Sequence, residues 1–506
     1  MPRTAPEPAR ATVTDLCMLA ALTLGGAALR AWHLGAASLW YDEALTWQMV
    51  QGGWREIIAL NATSNSAPPL FALLLGAVTG PAASEAVLRV PSLIAGVASI
   101  PLMYLLAREF LVPRYALLAA LLTALAPTQI GYAQQVREYS LAFLAAAALL
   151  LCYSRFIRSP GRSNALLLAV AAGLGIGIQY GIGLLLAGLN LVYFAALWRE
   201  PELRRTFPLW LAAQLPAVGV AAALAVTTLP GQLAWAARGK SGYLLNRYWD
   251  GTGPGLKSLL TGDGADIVHF AYPGRVMLAL ALGGAILCLV RPGLRRAAAF
   301  LIVPGALTGI AALAAVYPFG GIRQDIFLLP MIYVAAAIAF GAAAQGLRPH
   351  LPRPALAGCA LLAIGALAYR GLTLNAALRG FGGIEPLRPV VAALQERLRP
   401  GERIYVYSGA VPAFGYYWRS RPEPWQPGAL HWWGLDETQA DAQMTTVHGE
   451  LEKLMADGSP FWIVASHLSD AHRDQLLEPV RARRAVELAS GAYGSWLYYV
   501  AADNDG

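Results

Sequence analysis

The sequence has little charge. Only 13% of its 506 residues are charged and 57% are hydrophobic, whereas soluble domains carry about 25% charged residues. The mean hydropathy is accordingly high, at +0.49. This composition excludes an ordinary soluble protein and predicts a polytopic α-helical membrane protein.

Cysteine is scarce as well, which excludes a disulfide-stabilised scaffold. The four cysteines lie inside apolar runs and lack the spacing of a metal site; they are Cys17, Cys152, Cys288 and Cys359. The net charge of +8 comes almost entirely from arginines. Because these arginines stand in short loops between apolar runs, they indicate membrane topology, and we expect no nucleic-acid partner.

Eleven apolar runs are long enough to cross a bilayer, which takes about 20 residues. The first run is too long for a cleaved signal peptide, so we interpret it as an uncleaved helix. A further run, Pro68 to Thr79, is too short and predicts a tilted, broken or re-entrant segment. The fold class is therefore a bundle of about 11–13 transmembrane helices. The eleven runs are approximately 14–34, 87–107, 115–133, 139–157, 163–178, 181–198, 207–229, 274–290, 297–316, 327–346 and 354–372.

Every second loop between these runs is rich in arginine. The positive-inside rule places those loops in the cytoplasm, together with the N-terminus. The alternate loops then face outward, beginning with a first outer loop at about residues 35–67. The C-terminal end of the chain also lies outside in this arrangement.

The chain changes character after the last apolar run. The stretch "RPVVAALQERLRPGERIYVYSG" predicts an amphipathic helix, a turn and a strand, and "SPFWIVASH" and "SWLYYVAA" predict two further strands. We therefore divide the chain into a transmembrane module, residues 1–372, and a soluble outer α/β domain, residues 373–506. Ser466 and His467 lack the surroundings of a nucleophile elbow, so we interpret them as structural.

An acidic pair, Asp42 and Glu43, follows the first apolar run directly. A charge deep in a membrane helix costs ~2.5–3.5 kcal/mol, so carboxylates beside an apolar surface should be paired or functional. The alternative is a solvated pair that caps a helix starting near Ala44. Downstream, Pro68 and Pro69 favour a helix start that would place the next helix against the acidic pair.

Two arginines lie on the predicted outer side, where topology does not explain them. Arg137 opens a span in "QQVREYSLAF", and Arg323 precedes another in "YPFGGIRQDIFLLP". Arginine binds two phosphate oxygens at once through its planar fork. The alternative is that they pair with the neighbouring acids Glu138 and Asp325. With the acidic pair, they suit a reaction in which arginines hold a lipid-borne leaving phosphate and a carboxylate deprotonates an acceptor hydroxyl.

The order of these motifs resembles the GT-C superfamily of membrane glycosyltransferases. The chain is most similar to the family 39-like branch that contains protein O-mannosyltransferases and lipid A aminoarabinose transferases. The matching stretches are "YDEA", "SAPPLF", "VREYSL" and "GGIRQDIFLLP". They cover most of residues 14–372 in order and spacing, and a soluble outer C-terminal domain is common in such bacterial proteins.

The resemblance implies a hexosyl or pentosyl transferase of the bacterial plasma membrane that depends on a polyprenyl-phosphate sugar. Its partners would be that donor, a lipid, protein or glycan acceptor on the outer face, and membrane lipids. Two other classes stay open: a lipid-linked glycan transporter or flippase, and a non-catalytic partner of a polysaccharide assembly machine. The clustering of charges at one face and the lack of a sequence repeat count against the transporter.

The resemblance also implies roles for individual residues. Asp42 is the catalytic or acceptor-orienting carboxylate, and Glu43 supports it or contributes to a metal site. Arg137, Tyr139 and Arg323 hold the donor phosphate. Because relatives often have a histidine where this chain has Ala67, a divalent metal ion is left open, and the sequence requires no cofactor. The supporting residues are Pro68, Pro69, Gln134, Glu138 and Asp325.

Overall fold

The computed structural model describes residues 10–236, 248–249, 251–252, 275–319, 323–347, 358, 365, 369, 385–428, 437–492 and 494–503. The first part of the chain is helical, because lipid offers no partner for backbone N–H and C=O groups and a helix satisfies them internally. Its α-helices are α1 (Val13–Ala31), α2 (Tyr41–Met49), α3 (Trp54–Ser64), α4 (Leu70–Val78), α5 (Glu85–Ala107), α6 (Pro113–Leu125), α7 (Pro127–Ala133), α8 (Tyr139–Arg158), α9 (Arg162–Ile178), α10 (Gly181–Arg199), α11 (Phe207–Thr227), α12 (Leu229–Trp235), α13 (Arg275–Val290), α14 (Arg295–Leu313) and α15 (Leu329–Leu347).

The predicted polytopic α-helical class is confirmed. Ten of the eleven predicted membrane runs coincide with helices, and nearly all of the eleventh, 354–372, lies outside the described residues. Within the described part of the chain, seven helices are long and apolar enough to span a membrane, or eight if the bent pair α6–α7 is one span. The α9 helix is apolar but shorter than those.

The predicted first outer loop is largely helical. The helix expected near Ala44 already begins at Tyr41, since the Glu43 side chain accepts a hydrogen bond from the backbone N–H of Trp40 and closes the first turn. Helix α3 follows, and then α4, which Pro69 precedes and which has only 9 residues. The short run after Pro68 is therefore too short to cross, as predicted from its length.

A break in the third predicted span is stabilised by a buried arginine. Helices α6 and α7 meet at a bend of 54°, where Pro127 has no N–H to donate to the carbonyl of Thr123. Arg30 of α1 donates instead to the carbonyls of Thr123 (2.6 Å) and Ala124 (2.9 Å). The charged group is fully buried, and its position shows that it serves the broken helix.

The C-terminal residues form the predicted α/β domain. Helix α16 (Leu387–Arg397), a turn at Gly401 (φ +85°) and strand β1 (Arg403–Val406) appear in the expected order. The remaining elements are α17 (Val411–Trp418), β2 (Gln426–Pro427), α18 (Glu437–Met455), β3 (Phe461–Ser466), α19 (Asp470–Arg481), β4 (Val486–Ala492) and β5 (Ser495–Val500). The sheet order is β2-β1-β3-β5-β4, with the first three strands parallel and the last two pairings antiparallel.

The α/β domain and the helices after the first span share one hydrophobic core. This cluster joins Trp47 of α2 and Phe71 of α4 to Phe414 and Tyr416 of α17. The Trp47 and Tyr416 rings meet edge to face at 5.1 Å. The domain is thus packed onto the acidic pair's helix by apolar burial, the main favourable term in protein association.

Candidate functional site

Asp42 lies in the first turn of α2, where the helix dipole favours a negative charge. Its Oδ2 accepts a hydrogen bond from Nη1 of Arg323 at 2.7 Å, across 281 residues of sequence. Arg323 opens a 3-10 helix, Arg323–Leu328, that leads into α15. The side chains of Arg323 and Asp42 are 24% and 18% exposed, so this ion pair is reachable from outside the protein.

The charges around Asp42 keep it ionised. Burial acts to raise the pKa of Asp42, but the positive charges of Arg323 and Arg137 outweigh it, and the net shift is downward. A group whose folded pKa is depressed stabilises the fold above its unfolded pKa and loses that contribution as the pH falls. Asp42 is therefore a carboxylate anion at neutral pH and a weak proton acceptor while Arg323 holds it.

Arg137 is the second arginine whose charge acts on Asp42. It is buried, at 7% exposure, and donates through Nη2 to the hydroxyl of Tyr139 (3.2 Å) and to Glu138 (3.4 Å). The Tyr139 ring also lies beside Arg323, whose guanidinium carbon is 5.8 Å from the ring centroid. Two arginines thus flank one aromatic ring, and the three residues predicted to hold a phosphate are brought together.

Glu43 faces away from this group and into the protein. Its two carboxylate oxygens accept a bidentate pair of hydrogen bonds from Arg89 of α5, at 2.9 and 2.8 Å. One of them also accepts from the backbone N–H of Val136 at 2.8 Å. The pair is dry, with 2% and 1% of the side chains exposed, and it fixes α2 against α5 and the segment that carries Arg137.

The predicted supporting residues lie around the site, and each has its own structural contacts. Gln134 donates to the carbonyls of Arg30 (2.9 Å) and Trp32 (2.8 Å) and so caps the end of α1. Pro68 and Pro69 are buried and start α4 beside α2. Glu138 pairs with Arg137 at 3.3 Å. Asp325 is buried in the 3-10 helix that Arg323 opens.

The acidic pair does not form a metal site. Arg323 occupies an oxygen of Asp42, and Arg89 occupies both oxygens of Glu43, so the two carboxylates do not converge on one point. Across the described ranges no three His, Cys, Asp or Glu residues are grouped for a metal ion. These residues do not fit a divalent cation in this arrangement, and we derive no step through one.

The C-terminal domain contributes a histidine–carboxylate pair, His467 and Glu385, next to the helix that carries Asp42. His467 follows β3 directly, and its Nδ1 lies 2.5 Å from Oε1 of Glu385. The other oxygen of Glu385 accepts from the backbone N–H of Tyr41 at 3.2 Å. The imidazole is stacked on the Tyr41 ring, with centroids 4.5 Å apart and planes 10° apart. The sequence predicts a structural role for His467, but the fold places it at the site.

Three residues at the site were not selected as site residues from the sequence: Arg89, Glu385 and His467. Arg89 had a detectable signal, because it is a charge within a predicted membrane run and such a charge needs a partner. The other two had none, since they come together only when the C-terminal domain folds and reach Tyr41 only when it docks. The residues immediately before Arg323 lie outside the described part of the chain.

Part of the chain matches a known family, and its fold matches solved structures. Residues 66–229 match the family model of dolichyl-phosphate-mannose-protein mannosyltransferases. The crystal structure of ArnT from Cupriavidus metallidurans bound to undecaprenyl phosphate aligns with a TM-score of 0.56 at 13% identity, over 97% of this chain and 98% of that one. No curated protein sequence matches the chain significantly.

An archaeal structure is also similar. AglB, the oligosaccharyltransferase of Archaeoglobus fulgidus in complex with an inhibitory peptide and a dolichol-phosphate, aligns with a TM-score of 0.54 at 14% identity, over 97% of this chain and 74% of that one. The chain therefore has the GT-C fold of membrane glycosyltransferases. Its resemblance to the branch of protein O-mannosyltransferases and aminoarabinose transferases is confirmed.

Proposed function

We propose that the protein is a glycosyltransferase that moves a sugar from a polyprenyl-phosphate donor to an acceptor on the outer face of the membrane. The observation that carries this proposal is the reachable Asp42–Arg323 ion pair with Arg137 beside it. Carboxylates and arginines at one end of a membrane bundle suit a substrate that is both lipid and phosphate. The similar ArnT structure holds undecaprenyl phosphate, which supports this class of donor.

Donor binding begins with a change of partner at Arg323. A donor phosphate competes with Asp42 for the Arg323 guanidinium, because both are anions that accept its N–H groups. Arg137, already fixed by Glu138 and Tyr139, adds a second positive charge. When the bond between the anomeric carbon and the phosphate oxygen breaks, both arginines stabilise the additional negative charge on the leaving polyprenyl phosphate.

The acceptor is activated on the opposite side of the sugar. Once Arg323 is taken by the phosphate, Asp42 is free to accept a hydrogen bond from the acceptor hydroxyl and to orient its oxygen towards the anomeric carbon. The new carbon–oxygen bond forms as the phosphate leaves, and the hydroxyl proton passes to a base on the acceptor side. The result is an inverting displacement by a hexosyl or pentosyl transferase.

The sidedness of the reaction follows from the arginines at the other end of the bundle. Glu109, only 5% exposed at its side chain, lies among Arg155, Arg158 and Arg296 at 3.7, 3.0 and 3.9 Å. Arg155 and Arg158 end α8 and Arg296 begins α14, at two connections that the positive-inside rule places in the cytoplasm. The site then faces outward from the bacterial plasma membrane, where lipid, protein and glycan acceptors are available.

The test is sugar transfer by the purified full-length protein. A panel of radiolabelled polyprenyl-phosphate sugars is offered with a membrane extract as the acceptor source, to wild type and to Asp42→Asn. We expect wild type to consume one donor and label an acceptor. We expect Asp42→Asn to lose about 10²-fold or more of that turnover while retaining its fold.

The matched control is Asp470→Asn, since Asp470 is an 80% exposed carboxylate in the first turn of α19. It should transfer at the wild-type rate. If neither wild type nor the control consumes any donor, while lipid-linked glycan crosses vesicles containing the protein, the transporter class replaces this proposal. Equal transfer by wild type and Asp42→Asn would remove Asp42 from the reaction.

A further inference from the structure

The C-terminal domain presents a polar edge of its sheet to the membrane site. Strands β1 and β3 are adjacent and parallel, so their carboxyl ends lie at the same edge. In α/β sheets, ligands bind outside this edge. His467 is the first residue beyond β3, and it is the residue that stacks on Tyr41. The domain thus contacts the membrane module through the carboxyl-end edge of its parallel strands, where ligands bind in α/β sheets.

His467 is held there under constraint. Its φ of +60° is in the left-handed region, which a residue with a side chain occupies at a cost of order 1–3 kcal/mol. Gly409 packs so closely that a Cβ on it would lie 2.9 Å from the Cβ of His467 and 2.6 Å from the carbonyl oxygen of Ser466. Backbone strain of this kind is found mostly at functional sites, where the surrounding structure fixes the direction of a side chain.

The hydrogen bonds of His467 define its chemistry. The carboxylate of Glu385 accepts a hydrogen bond from Nδ1 of His467. The neutral ring therefore carries its proton on Nδ1, and Nε2 is its basic nitrogen. A base that is itself oriented by a carboxylate is the arrangement used to activate hydroxyl nucleophiles. Glu385 is fixed in turn by the backbone N–H of Tyr41.

Four other titratable groups lie around His467. They are Tyr41 and Asp42 on α2, Glu385, and Tyr407 at the end of β1. Burial, together with the negative charges of Asp42 and Glu385, raises the pKa of Tyr41 to about 12. Burial likewise raises the pKa of Tyr407 to about 12. Both phenols therefore stay protonated at neutral pH, and Asp42 has a depressed pKa.

We propose that His467, oriented by Glu385, is the general base that takes the proton of the acceptor hydroxyl, while Asp42 orients that hydroxyl. This inference rests on the proposed glycosyl transfer. The acceptor oxygen bonds to the anomeric carbon, its proton passes to Nε2 of His467, and polyprenyl phosphate leaves with the electron pair of the broken bond. The catalytic centre is then incomplete without the C-terminal domain.

The test uses the full-length protein with the donor that wild type consumes. We expect His467→Gln to reduce kcat by about 10²–10⁴-fold and to leave the binding of undecaprenyl phosphate within about twofold of wild type. His467→Ala should regain transfer when imidazole is added. The matched control, His448→Gln, replaces a half-buried histidine of α18 that contacts the carbonyl of Gln475 and should behave as wild type.

The pH dependence separates a base from a structural residue. In Glu385→Gln the acidic limb of the kcat/KM profile should move to lower pH, because an uncharged partner favours the neutral imidazole. If His467→Gln keeps kcat within about threefold of wild type while Asp42→Asn is inactive, Asp42 is the base and the glycosyltransferase proposal stands. Parallel loss of transfer and of undecaprenyl phosphate binding in His467→Gln, with no imidazole rescue of His467→Ala, makes His467 structural. No transfer by wild type overturns both proposals.

Discussion

Two arginine–carboxylate pairs at the site differ in how accessible they are. The Glu43–Arg89 pair is bidentate and almost fully buried, whereas Asp42–Arg323 is a single contact with about a fifth of each side chain exposed. A buried pair cannot exchange partners without leaving a bare charge in the interior. An accessible pair can pass its arginine to a ligand. We therefore expect Glu43 to be structural and Asp42 to be the carboxylate that exchanges its partner.

Removing the charge of Glu43 should destabilise the protein strongly. Glu43→Gln leaves the Arg89 guanidinium buried without its counter-charge, and loss of one partner of such a pair costs about 3–5 kcal/mol. Thermal unfolding in detergent should show the loss. Glu452→Gln is the control, since Glu452 pairs with Arg483 at an exposed site, and exposed pairs contribute about 0–1 kcal/mol. Equal stability of the two variants would show that Glu43 does not anchor α2.

At the level of elements, the broken span α6–α7 depends on Arg30. The carbonyls of Thr123 and Ala124 have Arg30 as a donor, and each buried polar group left unsatisfied costs about 1–3 kcal/mol. Arg30→Met should therefore lower the midpoint of thermal unfolding. In a Pro127→Ala background the restored N–H competes for the Thr123 carbonyl, so the same Arg30→Met change should cost less.

A double-mutant cycle measures this coupling. Additive effects of Arg30→Met and Pro127→Ala would show that the arginine does not serve the break. The same position explains why an arginine is tolerated inside a membrane helix, where charges are otherwise costly. Arg30 lies on α1 yet satisfies groups on α6, which its own sequence neighbourhood does not reveal.

The elements predictable from sequence are those with a local signal. Apolar runs of sufficient length predicted helices at ten of the eleven positions, and the Pro-Gly stretch predicted the turn between α16 and β1. Strand β4, Val486–Ala492, was missed because its "VELASGA" stretch carries little apolar alternation. Helix α2 begins at Tyr41, earlier than the sequence predicts. Its first turn is closed by a hydrogen bond from the backbone N–H of Trp40 to Glu43, and this contact has no recognisable pattern in the sequence.

The site was predictable only in part, because only some of its residues have a local signal in the sequence. Asp42, Arg137 and Arg323 could be selected because each is a charge that topology does not require, and the fold brings them together. Their roles in transfer stay predictions. The Glu385–His467 pair was not predicted, since 82 residues separate its members and its place beside Tyr41 depends on docking of the domain. Contacts made by domain docking leave no pattern in a single sequence.

At the scale of the molecule, one arginine secures the domain to the membrane module. Arg388 of α16 donates to the carbonyls of Gly35 (3.0 Å) and Ala37 (3.2 Å) and to the carboxylate of Glu85 (2.6 Å). The backbone there adds a bond from the N–H of Arg388 to Ser38. This single side chain ties the α/β domain to the chain that leads from α1 into the acidic pair.

Arg388→Ala should loosen that connection. Hydrogen exchange of residues 33–41 should become faster, because their carbonyls lose a donor and the segment opens more often. Arg397→Ala, on the same helix, removes an arginine that bonds only within the domain, to the carbonyl of Ala489, and should leave this exchange unchanged. Identical exchange in the two variants would show that contacts other than those of Arg388 hold this segment to the domain.

The central claim is that a lipid phosphate takes Arg323 over from Asp42, and equilibrium binding of undecaprenyl phosphate to the full-length protein tests it most directly. Asp42→Asn removes the competing anion, so it should bind the phosphate more tightly than wild type, by up to about tenfold, or 1.4 kcal/mol. Arg323→Gln should bind it more weakly. If Asp42→Asn binds no more tightly than wild type, or Arg323→Gln binds equally well, Arg323 is not the phosphate's partner and the account of the site is wrong.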